Sequence, residues 1–171
     1  TNMAAGEIFQ ALQSGTLDAA EFVGPYNDLA LGFYQVAKNY YFPSFVEPGL
    51  ATELVVDKAK YQALPDDLQA LIKDVSQAEY DQVASDFYAN DPRALQTLIN
   101  DHGVNVLQFP EEILQAGAEA AKEIMTGLRE SDDPLVKKTA ESFIESLNIV
   151  RTRSRDTDGA FVQAREKYFT L

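Results

Sequence analysis

Residues 6–49 read GEIFQALQSGTLDAAEFVGPYNDLALGFYQVAKNYYFPSFVEPG, and their pattern predicts a helix, a strand and a second helix in succession. Apolar residues recur at helical spacing from Ala5 to Ser14, and Gly15 follows where helices commonly end in a left-handed glycine. Residues 16–23 (TLDAAEFV) have the length of a strand. A broad apolar stripe then indicates a helix over residues 29–40, with a loop behind it.

The rest of the chain continues this alternation. Residues 50–57 (LATELVVD) form the strongest strand candidate, because their apolar centre is typical of a strand buried on both faces. Residues 104–109 (VNVLQF) alternate as a third strand should. Helical segments separate the strands, so we predict an α/β fold with parallel pairing. The other predicted helices cover residues 58–63, the stretch from Pro65 to just before Pro92, residues 93–101, the stretches opening at Pro110 and Pro134, and residues 153–169.

Composition narrows the classes of function. The chain has 171 residues, of which 46% are hydrophobic, enough for a folded core. Its 27 acidic and 14 basic side chains give a net charge of −13, which argues against binding nucleic acid. The absence of cysteine excludes disulfides, thiol nucleophiles and zinc–thiolate sites. Because no apolar run approaches the ~20 residues needed to cross a bilayer, we expect no membrane-spanning helix.

Common catalytic motifs are absent from the sequence. It contains no phosphate-binding glycine loop, no nucleophile elbow and no paired-histidine zinc motif. His102 is the only histidine, and we predict that it caps a helix end rather than acting as a base. Asn27 or Asp28 is placed to cap the second helix. Three acidic pairs stand at other predicted helix starts, where they favour the helix dipole: Asp66–Asp67, Glu111–Glu112 and Asp132–Asp133.

Two other carboxylates lie in predicted loops. Glu21 is near the C-terminal end of a predicted strand, the place where open α/β sheets bind ligands. Glu47 lies in an aromatic loop just before the next predicted strand. Their spacing alone leaves three interpretations open. They are ordinary surface acids, they share a hard cation such as Na⁺ or Ca²⁺, or they form the acid–base pair of an enzyme such as a glycosidase.

The quoted stretch resembles the DctP-like solute receptors of tripartite ATP-independent periplasmic (TRAP) transporters. Within that family it is most similar to the branch that binds 2-oxo acids and related monocarboxylates. The motifs that carry the resemblance are EIFQALQSGTLDA (7–19), AEFVGPYND (20–28) and EPG (47–49). The similarity extends over essentially all 171 residues but only about the last half of a complete receptor. We therefore expect residues 1–171 to form the C-terminal half, with the N-terminal half absent.

The resemblance implies a fold, a function and a site. The fold is the helix-rich part of a periplasmic-binding-protein-like two-lobe fold, with few strands and long C-terminal helices. The receptor captures its solute in the periplasm and delivers it to a membrane permease, without catalysing a reaction. In this branch a metal cation, Na⁺ or Ca²⁺, bridges ligand and protein. Carried over to this sequence, the metal ligands are the carboxylates of Glu21 and Glu47 and the backbone carbonyl of Phe22, whose ring also lines the ligand pocket.

This sequence differs from the family pattern near the site. Phe22 stands where the family usually has tryptophan, which changes the size of the pocket. No arginine precedes Arg93, so the family's arginine that grips the ligand carboxylate belongs to the other half. A second interpretation is a helical oligomerisation module without ligand binding of its own. In that interpretation, residues 153–169 form an exchanged or docking helix that holds the two copies of a homodimer together.

Overall fold

The fold is mostly helical, and its computed structural model describes residues 2–44 and 53–169. The helices are α1 (Ala5–Ser14), α2 (Pro25–Ala30), α3 (Lys58–Gln62), α4 (Asp66–Asn100), α5 (Glu111–Arg129), α6 (Pro134–Asp156) and α7 (Asp158–Tyr168). A short 3₁₀ turn covers Phe33–Gln35. Strands β1 (Asn39–Phe42) and β2 (Asn105–Gln108) pair in parallel. The chain divides into a first unit that ends at Pro110 and a second that begins at Glu111.

Helix α1 confirms the prediction made from its apolar spacing. Ile8 and Ala11 are buried on one face. Gly15 ends the helix with a φ of 74°, a left-handed conformation that glycine adopts without steric cost. The Thr16 N–H then donates to the Ala11 carbonyl at 2.9 Å, which satisfies one of the free carbonyls of the last turn.

Helix α4 is the main element of the first unit, and it corrects a prediction. We expected a helix end before Pro92 and a separate helix over residues 93–101, but a single helix continues through Pro92. Proline has no N–H, so it leaves one bond of the helix unmade. The helix persists because its last turns bury Ala94 and Leu98, which are 5% and 1% exposed. Burial of these side chains offsets the cost of the proline.

Two of the three predicted strands are wrong within the described residues. Residues 16–23 form irregular chain between α1 and α2. In the predicted strand over 50–57, residues 50–52 lie outside the described residues, and residues 53–57 contain no strand. Val55 in that segment is 79% exposed, so the expected burial on both faces is not observed.

Parallel pairing is present, but its first partner is a strand that the sequence pattern missed. The helix predicted over residues 29–40 is replaced by the end of α2, the 3₁₀ turn and β1. Tyr40, assigned to the apolar stripe of that helix, lies opposite Val106 in the sheet. The predicted strand over 104–109 is confirmed as β2.

The second unit consists of α5, α6 and α7, each packed on the next. Asp133 caps α6 as predicted, because its carboxylate accepts from the Leu135 and Val136 N–H groups. Helix α6 continues to Asp156, so the last helix begins at Asp158 rather than near Arg153. None of the described helices has the length and apolar character required to cross a bilayer.

Candidate functional site

Glu21 and Phe22 lie in the irregular segment that joins α1 to α2. The Glu21 side chain is exposed to solvent, whereas Phe22 is half-buried. The Phe22 ring packs edge-on against Phe33, with ring centroids 5.5 Å apart and planes at 87°. Phe22 is thus held by an aromatic contact within the first unit, whereas the neighbouring Glu21 carboxylate faces solvent. Glu47 lies outside the described residues, so its meeting with Glu21 stays a prediction.

Helix α4 holds the start of α2, directly after this segment. The Tyr26 N–H donates to Asp91 Oδ1 at 2.9 Å, so a carboxylate of α4 satisfies a free N–H of the first turn of α2. The Tyr26 ring also packs edge-on against Phe87, at a centroid distance of 5.7 Å. The chain that leaves Phe22 is therefore anchored to a long helix through one polar and one aromatic contact.

The burial of Asp28 is not predicted by the sequence pattern. The sequence pattern places Asp28 with Asn27 as a candidate helix cap, but Gly24 occupies the cap position and Asp28 is buried, with 8% of its surface exposed. The Tyr40 hydroxyl donates to Asp28 Oδ2 at 2.7 Å. Within residues 2–44 and 53–169, Asp28 Oδ1 has no hydrogen-bond partner. An aspartate after a Gly-Pro turn is typical of a helix start, so nothing in the local pattern marks it as buried.

Burial decides the protonation behaviour of this pair. It raises the pKa of the Asp28 carboxyl, and the charge of Asp91 adds to the increase. The Tyr40 hydrogen bond and the peptide groups of Val23 and Gly24 act in the opposite direction without cancelling it. Burial likewise raises the pKa of Tyr40, together with its bond to Asp28 and the negative charges around it.

The surroundings of Tyr40 are strongly negative. Asp28, which is hydrogen-bonded to Tyr40, raises the pKa of the phenol through its charge, and the charges of Asp91 and Glu21 add to the increase. The ion pairs found in the described part of the chain lie in the second unit instead, such as Arg155 with Asp156. A cation near Glu21 would reduce the repulsion among these acids.

The described residues do not form a complete metal site by themselves. Among residues 2–44 and 53–169, no group of three or more acidic or histidine side chains is close enough to hold an ion. Hard cations also take peptide carbonyls and ligand oxygens. A cation at Glu21 would therefore depend on such oxygens for the rest of its coordination.

His102 makes a packing contact. Its ring stacks on Tyr34 at a centroid distance of 3.7 Å, with the planes 18° apart. The backbone carbonyl of His102 accepts from Lys38 Nζ at 2.8 Å. These contacts join the chain after α4 to the turn before β1, which supports the parallel pairing of β1 with β2.

Comparison with known proteins identifies a family. Residues 1–131 match DctP, described as bacterial extracellular solute-binding protein, family 7. A curated relative from Nostoc sp. PCC 7120, the monocarboxylate 2-oxoacid-binding periplasmic protein, is 33% identical over 119 residues. That alignment covers 70% of this chain and 32% of the relative, so the chain matches about a third of that protein's length.

Two solved structures are also similar. One is a TRAP periplasmic solute-binding protein from Pseudoalteromonas atlantica T6c with bound sodium and pyruvate; its TM-score is 0.85 and its identity 28%, over 96% of this chain and 50% of that one. The other is a TRAP transporter solute-binding protein from Bordetella bronchiseptica RB50. It is a mixed-occupancy dimer, with calcium and picolinate in one active site and an apo site. Its TM-score is 0.71 and its identity 28%, over 97% of this chain and 51% of that one.

Proposed function

Because the chain belongs to the DctP family of bacterial extracellular solute-binding proteins, we propose that it is part of a receptor that captures a 2-oxo acid or a related monocarboxylate for a TRAP transporter. The family consists of solute receptors, not enzymes. The main support for the proposal is structural similarity, over 96% of this chain, to a solute-binding protein with bound sodium and pyruvate. The chain spans about half of that protein, so the activity belongs to a longer receptor.

We assign the metal site to Glu21, Phe22 and Glu47. The two carboxylates and the Phe22 backbone carbonyl would hold the cation, and the Phe22 ring would line the ligand pocket. Three features of the described residues support this assignment: the exposed Glu21 carboxylate, the clamping of Phe22 by Phe33, and the excess of negative charge around Tyr40. An anionic ligand is repelled by such surroundings, and a bound cation would supply the positive charge that attracts it.

The proposed location is the periplasm, and the proposed partners are the membrane permease of the transporter and a second copy of the receptor. Helix α7 would serve the dimer, because Phe161 and Tyr168 are 68% and 75% exposed. Exposed apolar side chains of this size favour a partner surface. The Bordetella relative is described as a dimer, which agrees with this proposal. The alternative, a helical oligomerisation module without ligand binding, rests on the same exposed helix.

Calorimetry on the full-length receptor tests the proposal. Pyruvate is titrated in buffer with Na⁺, in buffer with Ca²⁺, and in buffer without Na⁺ to which a chelator has been added. We expect binding when a cation is present and none without it. Absence of binding in every buffer would favour the oligomerisation module. Equal affinity in all three buffers would show that the cation has no role in binding pyruvate.

A matched pair of variants tests the role of Glu21. Glu21→Gln keeps the size of the side chain but removes its charge, so we expect pyruvate affinity to fall at least about tenfold. Glu7→Gln is the control, since Glu7 is also exposed but lies in the first turn of α1. Unchanged affinity in the Glu21 variant would contradict the assignment.

A further inference from the structure

The hydrogen bond between Tyr40 and Asp28 joins two elements on either side of the Phe33–Gln35 turn. Among the residues that the structure describes, Asp28 is a charged residue that is buried. Placing a carboxylate inside a protein costs free energy unless it is hydrogen-bonded. Tyr40 supplies that bond from β1, at 2.7 Å. Its phenol is itself partly buried, so the contact is shielded from competing water.

Helix α2 needs such contacts to keep its position. It has only six residues, too few for a helix to be stable on its own. The segment before it, residues 16–24, contains no helix or strand that could hold Glu21 and Phe22 through a backbone ladder. The placement of that segment therefore depends on how firmly α2 is attached to its neighbours.

Two hydrogen bonds attach α2 from two directions. Asp91 on α4 accepts from the Tyr26 N–H at the start of the helix. Tyr40 on β1 donates to Asp28, two residues further along. Strand β1 is in turn fixed by its pairing with β2. Both bonds fall in the first turn of α2: Asp91 ties that turn to α4, and the Tyr40–Asp28 bond ties it to the sheet.

We propose that Tyr40 and Asp28 are positioning residues for the ligand site, because their hydrogen bond fixes α2 and with it the Glu21–Phe22 segment. This inference rests on the proposed function. Neither side chain needs to touch the ligand or the metal in order to act. Loss of the bond lets α2 shift on α4, so that Glu21 and the Phe22 carbonyl no longer hold the arrangement that binds a cation.

The test compares four variants of the full-length receptor by titration with pyruvate in Na⁺ buffer. Tyr40→Phe removes the donor and leaves a buried carboxylate unpaired, and we expect affinity to fall about tenfold. Asp28→Leu removes the acceptor and should give the same loss. Asp28→Asn keeps a carbonyl oxygen for the Tyr40 hydroxyl, so its affinity should stay within about twofold of wild type. This rescue separates positioning from a general loss of packing.

Tyr61→Phe is the matched control. The Tyr61 hydroxyl also donates a partly buried hydrogen bond, to the Gln69 carbonyl at 3.1 Å, but it joins α3 to α4 and leaves α2 untouched. We expect wild-type affinity from this variant. Hydrogen exchange of the ligand-free protein adds a second measurement, in which Tyr40→Phe speeds exchange of the amides in residues 17–28 and Tyr61→Phe does not.

The outcomes separate the two proposals. Wild-type affinity in Tyr40→Phe and Asp28→Leu, when the wild-type protein does bind pyruvate, overturns the positioning role and leaves the proposed function standing. An equal loss in Tyr61→Phe also overturns it, because any tyrosine hydroxyl of the first unit would then matter. If the wild-type protein binds no 2-oxo acid under any condition, the proposed function fails and the positioning role fails with it.

Discussion

Leu98 offers a direct test of where the core of the first unit lies. It is 1% exposed, and two apolar residues nearby in the sequence, Ala94 and Val104, are buried as well. The Val104 N–H also donates to the Leu98 carbonyl at 3.0 Å, so the end of α4 and the start of β2 are joined at this point. Leu98→Ala would leave a cavity in this core, and we expect the free energy of unfolding of the first unit to fall by about 3 kcal/mol.

Urea denaturation followed by tyrosine fluorescence measures this loss. Seven of the eight tyrosines precede Pro110, so the signal reports on the first unit. Leu71→Ala is the control, because Leu71 lies on the same helix but is 55% exposed. Its loss should stay below about 1 kcal/mol. Equal losses in the two variants would refute the assignment of Leu98 to the core.

Two further predictions concern buried charge and helix capping. Since burial raises the pKa of Asp28, the folded protein binds the proton more tightly than the unfolded chain, whose carboxyl keeps the ordinary pKa of 3.8. The charged form therefore destabilises the fold at pH 7, and Asp28→Asn should be more stable than wild type there. Urea titrations should show that the difference in the free energy of unfolding between Asp28→Asn and wild type becomes smaller as the pH falls towards about 4. A difference that stays the same at every pH would contradict this explanation. Asp133→Ala removes the cap of α6 and should cost the second unit about 1 kcal/mol by thermal circular dichroism, more than Asp132→Ala does.

Local signals correctly predicted both ends of α1 and the start of α6. The spacing in Ala5–Ser14 together with Gly15, and the Asp133–Pro134 pair before α6, rest on interactions within one turn of the chain. The bounds of α1 and the start of α6 were therefore predictable from a few neighbouring residues. Pro92 shows the limit of the same reasoning, because burial of Leu98 against the rest of the first unit keeps α4 intact beyond it.

Long-range contacts account for what the sequence pattern missed. Tyr40 has the spacing of a helical stripe, but pairing with Val106, far along the chain, makes it part of a strand. Residues 16–23 have the apolar content of a strand, yet the segment packs through Phe22 onto Phe33 without joining the sheet. Glu21 is singled out by its place at the end of a predicted strand, whereas Phe22 and the metal role come from the resemblance to a family. The burial of Asp28 is evident only in the folded structure.

The uninterrupted course of α4 has a mechanical consequence. At 1.5 Å per residue, the 27 residues from Asp66 to Pro92 make an arm of roughly 40 Å. The bond missing at Pro92 makes this residue the softest point of the helix against bending. A tilt of about 10° there displaces the far tip by roughly 7 Å, since the displacement is the product of the angle and the 1.5 Å-per-residue arm. The helix thus converts a small angular change beside the α2 anchor at Asp91 into a large movement at its opposite end.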